Sequence, residues 1–173
     1  RFSIPQRKAV AGVLGENEKT DEKLKQDWGW FGSMTGAGDF KKLIADNDES
    51  LARAIDAIPF SGEVTYDQYT KFYKFFKQAH EGLNTSGGVG TASRLLAMKR
   101  PETFLCLCRP NLSSAADALG FSKSKLKIDN YWEMVVDPIR ISTWYNANKP
   151  DGPDGELWEA RAAMLDALYY RSA

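Results

Sequence analysis

The segment TYDQYTKFYKFFKQAH, residues 65–80, constrains this chain more than any other. Tyr66, Tyr69, Phe72, Tyr73 and Phe76 recur at helical spacing, which lines their rings along one side of a helix. Thr65 followed by Gln68 supplies a capping box at its start, and Gly82 supplies a stop. So large an apolar stripe requires a matching apolar surface, and core packing is its expected fate. The chain has the means to build that core: 43% of its 173 residues are hydrophobic and 12% aromatic, enough for a single domain over 1–173.

The rest also reads as helical. Ser3 is placed to cap a helix through PQRKAVAGVL, with Gly15 as its stop. EKTDEKLKQDWGWF carries a charged face, and the glycine-rich loop GSMTGAG follows it. DFKKLIADN and DESLARAIDAI form two short helices, the second ended by Pro59. SSAADALG forms a helix begun at Asn111 or Ser113 and stopped at Gly120, and DNYWEMVVDPIRI is helical with a disturbance at Pro138. ELWEARAAMLDALYY forms a last helix whose apolar face includes Leu157, Met164, Leu165 and Leu168. Only TFLCLC, residues 103–108, invites an extended assignment, and there is no βαβ alternation. The expected fold is therefore all-α, a compact multi-helix domain with at most one short extended segment.

Lysine plus arginine balances aspartate plus glutamate at 23 each, so any electrostatic footprint must be local. Cys106 and Cys108 are too few for a zinc site, the single His80 does not complete one, and buried thiols in a reducing cytosol are expected. No metal, cofactor or membrane partner is expected, since no apolar run approaches spanning length and no signal-peptide pattern opens the chain. A chain opening on Arg1 is expected to be an excised domain or a processed fragment of a larger protein.

Residues 83–104, LNTSGGVGTASRLLAMKRPETF, hold the strongest functional signal. A Gly-Val-Gly turn opening a helix exposes backbone N–H groups at the positive end of the helix dipole, where phosphate oxygens bind. Glycine lets the backbone approach a phosphate closely. From Gly87 to Lys127 there are seven basic residues against two acids. SKSKLK within this stretch alternates hydroxyls with cations. A solvated basic face and a purely architectural corner are the competing interpretations. The turn is neither a dinucleotide fingerprint nor a Walker loop.

These residues resemble the hairpin of helix-hairpin-helix DNA-binding domains, including those of the DNA glycosylase superfamily. The shared features fall on Leu83, Gly88, Val89, Gly90, Ala92 and Leu95, then Arg100, Pro101 and Glu102. The resemblance implies that the amides of Gly88, Gly90 and Thr91 hold a DNA phosphate. The longer arrangement of ASRLLAMKRPETF, YWEMV, ISTWY and ELWEARAAMLDALYY resembles helical modules of bacterial restriction and phage-defence proteins.

In the glycosylases a catalytic aspartate follows the Arg-Pro-acid segment, whereas Leu107 and Cys108 occupy that region here. A leucine neither stabilises an oxocarbenium-like centre nor activates water. No catalytic residue is therefore expected. The expectation is a cytoplasmic DNA-binding module, duplex its preferred partner, belonging to a larger restriction or defence protein. A division into an N-terminal lobe, 1–60, and a DNA-facing lobe, 61–173, is compatible with it. Gly88, Gly90 and Thr91 would donate from the backbone, Arg94, Lys99 and Arg100 would contact phosphates, and Lys123, Lys125 and Lys127 would extend the track. The rival expectation is a helical protein–protein module that meets an acidic partner and uses Trp144, Tyr145 and Trp158 as exposed anchors. Trp28, Trp30 and Phe31, bordering GSMTGAG, are candidate walls for an extruded base, with core packing as the commoner fate.

Overall fold

The computed structural model describes residues 2–15, 17–20, 31, 33–34 and 37–171. Among these the fold is all-helical, with nine α-helices and no strand. Trp28 and Trp30 lie outside the described residues, as does most of the charged segment 18–31.

Local sequence sets most of the helix boundaries. Helix α1 (Ile4–Val10) opens on a capping box between Ser3 and Gln6. It closes at Ala11 rather than at Gly15, because Gly12 takes a left-handed conformation with φ of 72°. Helix α2 (Phe40–Asp46) ends on left-handed Asn47, and α3 (Glu49–Asp56) begins where Asp48 accepts the Leu51 N–H at 2.8 Å. Helix α4 (Tyr66–Ala79) carries the Thr65–Gln68 capping box, and α5 (Val89–Lys99) follows the glycine turn. Helix α6 (Arg109–Leu119) starts earlier than either Asn111 or Ser113, with Pro110 in its first turn and Cys108 as its cap.

One contiguous core runs from Ala11 to Leu165. Tyr69 sits at its centre, fully buried, with ring centroids of Phe72, Tyr73, Phe104, Tyr131 and Trp132 between 5.5 and 6.4 Å away. Phe72 and Phe76 are equally buried, so the aromatic stripe fills the core, while Tyr66 stays at its edge. Helix α3 packs on both α4 and α5, and the two helices flanking the glycine turn meet through it more than along their own lengths.

Residues 104–108 form no helix and pair with no strand among the described residues, yet 104–107 are deeply buried. Side chains do the work of a neighbouring strand. The Leu105 N–H donates to the Tyr131 hydroxyl, which in turn donates to the Leu105 carbonyl at 2.6 Å. Ser93 Oγ accepts from the Leu107 N–H at 2.9 Å, and Asn111 Nδ2 donates to the Cys106 carbonyl at 2.8 Å. Buried backbone polar groups need such partners, which explains why Ser93 and Asn111 are themselves interior.

Two expected helices are interrupted. The segment around Pro138 is a 3-10 turn (Ile128–Asn130), a π turn (Trp132–Val136) and α7 (Asp137–Arg140). Proline has no N–H to give to the i−4 carbonyl, and the Asp137 amide reaches back five residues to Trp132 instead. The C-terminal segment is not one helix but two, α8 (Asp154–Glu159) and α9 (Leu165–Tyr169). The Ala163 amide leaves the helical ladder to donate to the Pro101 carbonyl at 2.8 Å. That detour buries Ala162, Ala163 and Leu165 and turns Leu157 and Leu168 out to solvent, contrary to the single apolar face expected.

Candidate nucleic-acid interface

The N-terminus of α5 is open. Gly88 is its cap residue and supplies no side-chain partner. The amides of Val89, Gly90 and Thr91 donate to no atom among the described residues, and the first ladder bond is from Ala92 to the Gly88 carbonyl. Thr91 is buried and its hydroxyl donates to the Gly88 carbonyl at 3.1 Å, so only its amide is available to a ligand. Gly88 has extended torsions, φ −107° and ψ 170°, and the left-handed residue of the turn is Gly87, φ 66°. The turn is pinned from outside by Asp39, whose carboxylate accepts from the Thr85 amide at 3.0 Å and the Thr85 hydroxyl at 3.2 Å.

Three depressions surround this helix start. One of about 670 Å³ is lined by His80, Glu81, Gly87, Gly88, Lys127 and Asp129. Another of about 500 Å³ lies between Val89, Gly90, Arg109, Ser113 and Lys123. The third, about 640 Å³, separates Ser33 and Met34 from Thr85, Gly88 and Thr91.

The lysine segment is a braced loop rather than a loose one. Asn130 accepts from the Lys127 amide at 2.7 Å and donates to the Lys125 carbonyl at 3.0 Å. The Tyr69 hydroxyl reaches out of the core to the Ile128 carbonyl, and Lys77 pairs with Asp129 at 3.4 Å. These contacts tie residues 125–130 to α4 beside the turn. Lys123, Lys125 and Lys127 are all exposed, with the Lys123 ammonium 3.0 Å from Ser113 Oγ.

The arginines expected to contact phosphate lie elsewhere. Arg94 is fully buried. Its Nη2 donates to the Val10 carbonyl at 3.3 Å, and its guanidinium lies 5.7 Å from the Phe31 ring. It also packs so closely on Gly12 that a Cβ there would stand 2.6 Å from the guanidinium carbon. Arg100 is buried too, giving Nε to Glu102, Nη1 to the Pro59 carbonyl and Nη2 to the Gly62 carbonyl. Both arginines lock loops onto α5, a task that suits a planar five-donor group. Lys99 stacks on Phe60 at 3.7 Å, and partial burial pushes its ammonium's affinity for the proton down. It lines an apolar cavity of about 400 Å³ with Phe2, Leu43, Leu51, Phe60 and Leu95, at the other end of α5 from the turn. Arg94, Lys99 and Arg100 therefore leave the candidate interface.

The sequence pattern missed His80 as a neighbour of the turn. It caps α4, with Nδ1 2.8 Å from the Phe76 carbonyl, and its ring faces Gly87. Its place a few residues before the glycine pair was the available signal. The expected protein-binding anchors are engaged internally. Arg161 lies 4.3 Å from the Tyr145 ring and 4.0 Å from that of Trp158, and the Trp144 indole donates to the Arg161 carbonyl at 2.7 Å.

No group of side chains able to hold a metal ion is found among the described residues, and no helix there is long and apolar enough to cross a membrane. No family model, curated protein or solved structure matches the chain.

Proposed function

We propose that this chain is a duplex-DNA-binding module, the recognition part of a larger restriction or defence protein. The turn at the start of α5 takes one backbone phosphate on the amides of Val89, Gly90 and Thr91, with Gly88 giving the phosphate room. Lys127 and Lys123 flank that helix end and Lys125 continues the track to neighbouring phosphates. The observation that carries this reading is the uncapped N-terminus of α5, its amides unpartnered among the described residues and lysines on the walls of the depressions around it. The attachment to restriction or defence rests on sequence resemblance.

A salt titration with a fluorescent duplex tests it. Each neutralised phosphate contributes about 0.9 to the slope of log affinity against log salt, so three lysine contacts give about −2.7. Affinity then falls about 40-fold between 50 and 200 mM salt. Reversing Lys123, Lys125 and Lys127 to glutamate should weaken binding and flatten the slope. No retention of duplex at 50 mM salt ends the proposal.

A further inference from the structure

His80 is the only histidine in the chain, and it is almost wholly buried. Its ring lies on Phe76, centroids 4.6 Å apart, and its Nδ1 faces the Phe76 carbonyl at 2.8 Å. A carbonyl oxygen only accepts, so Nδ1 carries a hydrogen and donates it. The other ring nitrogen, Nε2, is buried and has no hydrogen-bond partner among the described residues. It is turned toward the glycine turn: a Cβ added to Gly87 would stand 2.8 Å from Nε2 and 2.7 Å from Cε1. The same ring helps line the depression into which the N-terminus of α5 opens.

An unsatisfied buried nitrogen is costly in a folded protein and calls for a function. The charges facing this ring are Lys77 on its own helix, Glu81 just beyond it, and Lys127 and Asp129 across the depression. They are two cations and two anions, with Lys77 and Asp129 paired. The side chains therefore give the ring no strong preference of sign. The helix end does: its dipole and open amides favour an anion there, and an anion beside the ring favours the imidazolium.

We propose that His80 couples a proton to the anion site of the glycine turn: when a phosphate oxyanion settles on the α5 amides, Nε2 takes up a proton from solvent. The imidazolium keeps its Nδ1 bond to Phe76 and gains at Nε2 the donor that a phosphate oxygen can accept. One N–H bond forms at Nε2 as a hydronium or buffer acid gives up its proton, and no bond between heavy atoms changes. The phosphate is that of a nucleic-acid backbone, where the inference rests on the DNA-binding reading, or a free oxyanion of the same chemistry. By linkage, the factor by which anion binding raises the ring's proton affinity equals the factor by which protonation tightens anion binding.

The lone histidine makes the test direct. With ¹³C-labelled histidine, the Cε1 resonance is followed by NMR across the neutral pH range in three arms: chloride alone, sulfate at matched ionic strength, and a short duplex. The duplex is expected to raise the titration midpoint by about one pH unit, a tenfold coupling. Duplex affinity should rise by the same factor from the alkaline to the acidic side of that midpoint. His80→Asn, whose amide can still donate to the Phe76 carbonyl, should bind about tenfold more weakly than wild type on the acidic side and lose the pH dependence. Duplex binding with an unmoved midpoint overturns the inference and leaves the DNA reading standing. A midpoint raised by sulfate in a protein that retains no duplex supports the anion site and removes DNA as its partner. A midpoint moved by neither ligand overturns the inference whether or not duplex binds.

Discussion

Replacing Gly88 by alanine separates a phosphate cradle from a structural corner. Gly88 has φ of −107°, open to any residue, and a Cβ built there meets no atom within 4 Å. Alanine is a poorer cap residue than glycine by roughly 0.5–1 kcal/mol, while restricting the unfolded chain returns about 0.4–1 kcal/mol. These effects nearly cancel, and the midpoint of thermal unfolding should move by no more than about 2 °C. Binding should respond quite differently. A phosphate oxygen sits about 2.7–2.9 Å from the amide nitrogens it accepts from, and a methyl group at the cap intrudes on the space it must enter. Losing one charge-assisted hydrogen bond costs about 1.5–3 kcal/mol, at least tenfold in affinity. Gly87→Ala is the contrasting control. Its φ of 66° and its contacts of 2.7 Å with the His80 and Phe76 rings predict a loss of stability of about 2 kcal/mol or more. Fluorescence anisotropy at 50 mM salt, beside thermal unfolding of each variant, reads both effects. A Gly88→Ala protein that binds duplex as wild type does, with unchanged salt slope, refutes the phosphate contact.

Other outcomes follow from the interior. Gly12→Ala should lower the unfolding midpoint by several degrees, since φ of 72° disfavours a side chain and the Arg94 guanidinium fills its place; wild-type stability would contradict that packing. Burial holds the Asp166 carboxyl above its ordinary range, against the opposing hydrogen bond from Asn111. The folded state therefore binds that proton more tightly than the unfolded chain, and stability is lost as pH rises from the ordinary aspartate value through the folded one. Asp166→Asn should flatten this fall and match or exceed wild type at pH 7; a marked drop in its unfolding midpoint there would show the ionised carboxylate to be stabilising. Burial pushes the Cys106 thiol up to about 12 and raises that of Cys108. Buried and held as the neutral thiol at pH 8, Cys106 should be labelled by iodoacetamide only after denaturation, as mass spectrometry would report.

Much of the fold was legible because its signals are local. Ser3 reads as a cap and Thr65 with Gln68 as a capping box, signals no more than three residues long, and both caps formed. The aromatic stripe was legible from spacing alone. What escaped were effects of distant residues. Nothing near Ala163 foretells that its amide will pair with Pro101 and split the last helix. Asn111 looks like a helix start from the sequence but stands inside the first turn, where its side chain accepts from the Cys108 N–H and also holds Cys106 and Asp166 from inside the core. Within the candidate site, the Gly-Val-Gly turn stood out, whereas the arginines could not be placed. Arg94 falls on the face of α5 that meets Gly12, a contact across more than eighty residues. Charge along a sequence says nothing of which face it takes.

That distinction changes what kind of binder the chain would be. Seven basic residues between Gly87 and Lys127 suggested a broad electrostatic track. With Arg94 and Arg100 buried and Lys99 stacked at the far end of α5, the cations near the turn reduce to Arg109, Lys123, Lys125 and Lys127, with Lys77 already paired. Glu81 and Asp129 stand among them. Under the proposed DNA-binding reading such a footprint would cover a few phosphates and supply little base readout, and its isolated affinity would belong in the non-specific range of about 10⁻⁴–10⁻⁶ M. Tethering alters that arithmetic, because a second DNA-binding element on the same molecule makes this contact intramolecular and multiplies the overall affinity by about 10²–10⁴. A two-copy fusion joined by a flexible linker should therefore bind a long duplex at least a hundredfold more tightly than the single chain, and a duplex too short for both copies no more tightly than the single chain does. Equal gains on both duplexes would mean that the copies act on each other rather than on DNA.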